Sequence, residues 1–382
     1  MKPLITKEKK IAIIEIYSHH LYVHTLASSL ISKGHKVTVY VTQTIFKDLE
    51  PLFIGSEDIP EFIISKDNEN DLSFLRRIKI DIESSNDLLI INSIQGYRVG
   101  FFYIVNFSIP TIAAAGRISE FFGSSYRLRG FINLREIIHH NYTKLFLSRI
   151  IKRLEGIIVH TEQARQNALE HGYTKPIHLM PFSLYLGREV IKPNKSTLEV
   201  LVTGQIVERA RDYFALLNAF ESLWLLGYSK IKLTVLSYPI TSYGYSIIEE
   251  MQRLERKGYP IKFFTKWIPE LEFIENTSKA QFIIAPILKD YYNQGELTSV
   301  HVESVRMGIP AIYPDWYKPD PNIISSSIYF KTFKELEEIL IRLVENPKQI
   351  EGISYLAVEN AKLYSLANVS KELDKFIQEI LN

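Results

Sequence analysis

The chain has no cysteine among its 382 residues. That excludes disulfide scaffolds, thiolate catalysis and Cys-ligated zinc, and it fits a reducing compartment. It also lacks an excess of either charge. Lys and Arg number 45 against 43 Asp and Glu, a net +2, so no global basic field argues for a nucleic-acid partner. Long apolar runs are missing too: the longest, around 101–115, is broken by Asn106, Ser108 and Pro110, which excludes a membrane-spanning helix there. The polar, charged segment from Met1 to Lys10 lacks the apolar stretch of a secretion signal, which predicts a cytoplasmic location. The Asn-x-Ser/Thr triplet at Asn141 therefore reads as chance.

Several chemical signatures are absent as well. No two glycines lie two apart, so there is no dinucleotide-binding G-x-G-x-x-G, and no Gly-Lys-Ser/Thr P-loop occurs. No two aspartates lie two apart and no H-E-x-x-H appears. These absences disfavour dehydrogenases, P-loop kinases, zincins and sugar transferases that hold a metal through Asp-x-Asp.

What is present is an ordinary globular composition, 46% hydrophobic and 23% charged, organised as two successive α/β series. In the first, apolar runs at Lys10–Tyr17, Lys36–Thr42, Asp87–Asn92, Pro110–Ala115 and Gly156–His160 predict strands. Helical spacing predicts helices over Leu21–Lys33 and Thr161–His171. After Pro193 the pattern restarts. Strands are expected at Leu198–Thr203, Lys230–Leu236, Ile261–Phe264, Gln281–Pro286 and Pro310–Tyr313. Helices are expected at Tyr213–Leu226, Ile247–Lys257, Glu270–Lys279, Ser299–Met307, Phe333–Glu345 and Val369–Leu381. Two such series predict an α/β protein with two Rossmann-like doubly wound domains facing a cleft. The expected division is 1–187, 188–360 and a terminal segment, 361–382, crossing back to the first domain.

Two segments carry the chemistry. Gly295–Pro310 reads GELTSVHVESVRMGIP, with Glu303 followed by Gly and Pro five and seven residues on. Val202–Phe220 reads VTGQIVERARDYFALLNAF, with Gly204, Gln205, Arg209 and Arg211 in a loop after a strand. The first resembles the donor-site helix of retaining GT-B glycosyltransferases, the group that includes glycogen synthases and many lipid mannosyltransferases. The second resembles the same family's loop after the first strand of its C-terminal domain. Weaker similarities occur in the family's order: Leu26-Ala27 with Gly34–Val39, Gly156–Gly172 with Met180-Pro181, and Trp267–Pro286.

The resemblance implies a sugar transferred from a nucleotide donor to a glycan or lipid-linked acceptor, with an N-terminal acceptor-side domain and a C-terminal donor domain. No cofactor or metal is implied; the nucleotide sugar is a substrate. Glu303 would accept hydrogen bonds from the donor ribose hydroxyls, as a carboxylate can. The helix start at Leu297, Thr298 and Ser299 would face the diphosphate. Arg211 stands at the family's Lys and Gln205 at its Arg, with Arg209 between, so two cations would meet the departing diphosphate. Gly204 and the Ile268 backbone complete the donor side. Transfer in this family is thought to proceed on the front face of the sugar, the leaving phosphate oxygen taking the acceptor proton.

Three positions depart from the family. The first loop reads Tyr17-Ser18-His19-His20 where glycines are usual. Gly116, beside Arg117, stands where a His is common on the acceptor side. Gly295 stands where a Glu precedes the ribose Glu by eight residues, with Glu296 one residue later. His19 and His20 are the candidates to compensate, as hydroxyl ligand or base. A nucleotide-sugar epimerase, or a catalytically impaired sugar-nucleotide-binding protein on the same fold, is the alternative. The basic, aromatic stretch Tyr126–Arg153 suits either a peripheral membrane contact or a solvated helix face.

Overall fold

The structure is a computed structural model describing residues 8–56, 59–116, 121–122, 134–187, 197–292 and 295–382, with backbone only for 134–140. The chain divides into two compact units. Unit 1 comprises Met1–Leu184, Gln294–Glu296 and Leu366–Asn382; unit 2 comprises Tyr185–Asn293 and Leu297–Ser365.

Unit 1 contains strands β1 (Lys10–Glu15), β2 (Lys36–Val41), β3 (Glu61–Ile64), β4 (Leu88–Ile91), β5 (Thr111–Ala114), β6 (Gly156–Val159) and β7 (Ile177–Leu179). They form one parallel sheet in the order β3-β2-β1-β4-β5-β6-β7. Its helices are α1 (His20–Ile31), α2 (Gln43–Leu49), α3 (Asp71–Ser85), α4 (Arg98–Val105), α5 (Leu134–Ile151) and α6 (Glu162–Glu170). β4 and β6 are apolar along their whole length, as a sheet covered on both faces requires. Ile14, Leu89, Ala113 and Ile157 are fully buried in one cluster with Phe74 and Ile78 of α3, Phe102 of α4 and Leu147 of α5.

Unit 2 repeats the plan. Its strands are β8 (Leu198–Thr203), β9 (Ile231–Leu236), β10 (Ile261–Phe263), β11 (Phe282–Ile284), β12 (Ala311–Pro314) and β13 (Ser327–Phe330). The sheet is parallel, ordered β10-β9-β8-β11-β12-β13. Its longer helices are α7 (Tyr213–Leu225), α8 (Ser242–Arg256), α9 (Glu270–Lys279), α10 (Ser299–Met307), α11 (Phe333–Glu345) and α12 (Pro347–Ala361), with a single helical turn at Lys289–Tyr292. Asp212, Thr241, Thr298 and Thr332 cap α7, α8, α10 and α11, each side chain accepting a first-turn amide. Thr241 explains why α8 starts at Ser242, five residues before the expected Ile247.

The last helix, α13 (Leu366–Leu381), belongs to unit 1. His35 Nε2 lies 3.0 Å from Asp374 Oδ1, and the His178 ring stacks on Phe376 at 5.1 Å.

Elements the sequence did not announce are α2, β3, α3, α4, β7, β13 and α12. The strands among them are three or four residues long, and none reads as the fully buried run of a central strand. Such short segments are shaped by pairing to their neighbour rather than by their own pattern.

In each sheet the order reverses, between β1 and β4 in unit 1 and between β8 and β11 in unit 2. Ligands of open α/β sheets bind outside the carboxyl ends of the strands at such points.

Candidate functional site

At the switch point of unit 2, β8 ends at Thr203 and the chain turns at Gly204 with φ +93°. A Cβ there would stand 2.3 Å from both Arg211 Nη2 and Ser299 Oγ, so only glycine leaves room for that pair. Arg211 follows seven residues later. Its backbone forms an isolated antiparallel bridge with Ile287, just past β11, which fixes the side chain over the switch point. Nη1 donates to the Gln205 carbonyl at 3.0 Å and Nη2 to Ser299 Oγ at 3.1 Å. Ser299 Oγ also lies 3.3 Å from Thr203 Oγ1. The guanidinium carbon sits 5.9 Å from the Tyr292 ring centroid. Arg211 is only 5% exposed, and its Nε has no hydrogen-bond partner among the described residues. No carboxylate is ion-paired with it among those residues. A buried, always-charged group held by neutral partners is built to meet an anion.

Ser299 opens α10. The Thr298 hydroxyl accepts the His301 amide at 3.0 Å. Further first-turn amides of a helix have no partner within it. Helix start and guanidinium thus converge on Ser299, an arrangement suited to a diphosphate.

Glu303 lies one turn into α10 and is buried. Burial is the main cause raising its carboxyl to about 7, partly opposed by the Arg306 charge. Arg306 bonds Glu270 instead, and its Nη1 stays 3.8 Å from Glu303 Oε2, too far for a hydrogen bond. That oxygen has no hydrogen-bond partner among the described residues. His301, also buried, is pulled down to about 4 by its burial.

Other expected donor-side residues are placed less tightly. Gln205 and Arg209 are exposed, and Arg209 lies 6.0 Å from the Tyr291 ring centroid. Leu297 is half-buried; Ile268 is buried with Leu201 and Ile283, next to the exposed Trp267. The sequence reasoning missed Thr203 and Tyr292. Thr203 was visible only as a strand end, and Tyr292 carries no motif at all.

In unit 1, β1 leads into His19, the residue capping α1, and His20, its first residue. Both are half-buried. His19 Nε2 lies 3.4 Å from Gln95 Nε2, in the loop after β4. Among the described residues, a Cβ on Gly116, after β5, would meet only that same Gln95 nitrogen, at 3.8 Å. The structure thus brings His19, Gln95 and Gly116 together, while His20 has no such link among the described residues. Buried Glu15 accepts from Asn92 and from Ser93 Oγ, and Asn92 Nδ2 donates to the His19 carbonyl at 3.3 Å. Gln95 and Glu15 were not foreseen. Arg117 lies outside the described residues.

Gly295 and Glu296 group with unit 1. Gly295 has φ +88°, and a Cβ there would stand 2.7 Å from the Ala164 amide nitrogen. Its carbonyl accepts from Thr161 Oγ1 at 2.7 Å, and Thr161 caps α6. No side chain fits at this position, which accounts physically for the missing Glu. Glu296 is buried. Within the basic stretch 126–153, the described Arg149 and Arg153 turn toward α4, bonding Tyr103 Oη at 3.3 Å and Asn106 Oδ1 at 2.7 Å. Residues 126–133 lie outside the described residues. No described helix is long and apolar enough to cross a membrane.

These two sheets, with their switch-point loops, define the GT-B fold of glycosyltransferases. The sucrose-phosphate synthase of Thermosynechococcus elongatus superposes with a TM-score of 0.67 at 13% identity, over 98% of this chain and 99% of that one. Anabaena HepE, solved with UDP and glucose, gives 0.68 at 11%, over 97% and 100%. The pneumococcal O-GlcNAc transferase GtfA, solved with UDP and GlcNAc, gives 0.67 at 10%, over 98% and 99%. No protein-family model matches the chain, and no curated protein matches it by sequence.

Proposed function

We propose that this protein is a retaining, metal-independent glycosyltransferase that moves a sugar from a nucleotide-sugar donor to a glycan or lipid-linked acceptor. The observation that carries the reading is Arg211, a buried guanidinium ion-paired with no carboxylate among the described residues and joined to Ser299 at the start of α10. Charge grows on the diphosphate as the sugar leaves, and a fixed cation in a dry setting meets it without reorganising. Arg211, the α10 amides and the exposed Arg209 take the part a metal ion would otherwise play. Glu303 accepts from the ribose hydroxyls. UDP is the nucleotide in this reading, on the strength of the HepE and GtfA complexes.

Unit 1 serves the acceptor and unit 2 the donor. The acceptor oxygen attacks the anomeric carbon on the face the diphosphate leaves. The carbon–phosphate-oxygen bond breaks, and the acceptor proton passes to the departing phosphate oxygen. His19, held beside Gln95 where the family's His would reach, binds a sugar hydroxyl or relays that proton. A cytoplasmic site of action, peripheral at an anionic membrane through residues 126–153, belongs to the same proposal.

The test is UDP release. The chain is incubated with UDP-glucose, UDP-GlcNAc and other nucleotide sugars, with and without glycan acceptors. Release that rises with acceptor supports transfer. Donor binding without any release would leave a sugar-nucleotide-binding protein, and isomerised free donor would indicate an epimerase.

A further inference from the structure

Glu303 and Arg306 lie about one turn apart on α10, and both are buried. Glu303 Oε2 has no hydrogen-bond partner among the described residues, and neither has Arg306 Nη1 or Nε. The two facing atoms, Oε2 and Nη1, stand 3.8 Å apart. A move of about 1 Å would bring them to the length of a charge-assisted hydrogen bond. Buried polar groups are as a rule bonded, so a gap this narrow between them needs a physical cause.

The cause is on the neighbouring helix. Glu270 opens α9, and its Oε1 accepts from Arg306 Nη2. That bond holds the guanidinium on the α9 side. The Glu270 side chain is 26% exposed, against 3% for Arg306. Water and the amides of the α9 start can therefore stabilise the Glu270 carboxylate without Arg306. Glu303 Oε2 is closed to water.

The two carboxyls are thus coupled through one guanidinium. Burial raises the Glu303 carboxyl, the Arg306 charge opposes the rise and the Glu270 charge adds to it. The elements β8, β11, β12 and α12 also pack against α10. Among the described residues they bring no further charge to bear on Glu303. While Glu303 keeps its proton, it offers the guanidinium less than the carboxylate of Glu270 does. Once that proton leaves to solvent, the buried carboxylate becomes the stronger partner, because attraction between charges grows where water is excluded.

We propose that Glu270 and Glu303 compete for Arg306, and that this competition decides whether Glu303 stands ionised to receive the ribose hydroxyls. Arg306 is then a positioning residue for the donor, and Glu270 restrains it. The consequence for the donor rests on the reading of Glu303 as the ribose carboxylate. Ribose hydroxyls favour the ionised acceptor, so a bound nucleotide draws Arg306 toward Glu303. By linkage, anything that weakens the Glu270–Arg306 bond tightens nucleotide binding.

Carbon-13 NMR of the glutamate carboxyls in the full chain, without ligand, follows the titration, with Glu303→Gln identifying the signal. Glu270→Gln, at a partly exposed side chain of the same size, should lower the Glu303 midpoint by about one pH unit or more, the small end of what an adjacent guanidinium does to a carboxyl. Arg306→Met should raise the midpoint. In the Arg306→Met background Glu270→Gln should move it much less, because the route through the guanidinium is gone. An unmoved midpoint in Glu270→Gln, or an equal fall in both backgrounds, would overturn the competition. Should Arg306→Met not fold, the nitrogen-15 signals of the Arg306 guanidinium give the second reading. They should shift with the Glu303 midpoint, and signals flat in pH would overturn the proposal. UDP affinity by calorimetry should rise several-fold at pH 6 in Glu270→Gln and stay near wild type at pH 8. The two readings fail separately. A midpoint that moves as expected, with UDP affinity indifferent to pH in every variant, keeps the competition and removes Glu303 from the ribose. UDP binding weakened in Glu303→Gln, with an unmoved midpoint in Glu270→Gln, keeps the ribose carboxylate and removes the competition.

Discussion

Arg211 Nη2 donates to Ser299 Oγ at 3.1 Å, tying the loop after β8 to the first turn of α10 across 88 residues of sequence. The bond joins a fixed cation to a helix start at the point where the strand order of unit 2 reverses.

Arg211→Lys keeps the charge but loses the planar fork that reaches Gln205 and Ser299 together. If Arg211 meets charge that develops in the transition state, kcat should fall by about 10²-fold or more while donor affinity changes much less. Steady-state UDP release beside calorimetric donor titration gives both constants. Equal losses in the two would mean ordinary ground-state binding.

Gly204→Ala should cost at least about 1 kcal/mol of stability, because φ +93° is unfavourable for a residue with a Cβ. The added methyl would also push apart Arg211 and Ser299. Thermal unfolding checks the first effect, and the loss of UDP-induced stabilisation checks the second.

Glu303 couples stability to pH. Its folded pKa of about 7 lies above the ordinary 4.5, so the native state holds the proton more tightly than the unfolded chain. Stability from this group is therefore full below pH 4.5 and falls as pH rises toward 7. The cost above pH 7 is on the order of 3 kcal/mol at most. Glu303→Gln should raise the melting temperature at pH 8 and change it little at pH 4. The same variant should weaken donor binding by about 1.5–3 kcal/mol, the size expected for bonds to a charged group. Wild-type donor affinity should rise from pH 6 to 8 as the carboxylate forms, and this rise should vanish in the variant.

The double change His19→Ala with His20→Ala should cut turnover by roughly 10²-fold if one of them moves a proton. His19→Ala alone should account for the loss, because of the two it is His19 that meets Gln95 among the described residues. Gly116→His, whose Cβ would meet only the Gln95 nitrogen among the described residues, should restore part of the rate. A double variant of full activity would leave the leaving phosphate as the sole base.

Activity should survive EDTA, with cationic side chains and helix amides standing at the diphosphate. Inhibition by EDTA that manganese reverses would overturn the metal-independent reading.

The two-fold α/β plan was legible because buried parallel strands are largely apolar, and the runs at Leu88–Ile91 and Gly156–Val159 show it in full. Helix α10 was legible for another local reason: Thr298 caps its start and Gly308, at φ +61°, ends it. The residues Gly204, Arg211 and Ser299 could be nominated from the sequence, because glycine, a cation and a helix start each have a distinct chemistry. That they touch could not. Their meeting depends on β8 and β11 lying side by side, a pairing of segments some 80 residues apart that no local pattern encodes. The same holds for His19, Gln95 and Gly116, which come from the ends of β1, β4 and β5. Gly295 reads in the sequence only as a missing carboxylate; the tertiary structure supplies the cause, a backbone pressed against the capped start of α6 where a Cβ has no space. Periodicity and residue chemistry are local and survive in the sequence. Strand order, burial and close backbone approach arise only when distant segments pack.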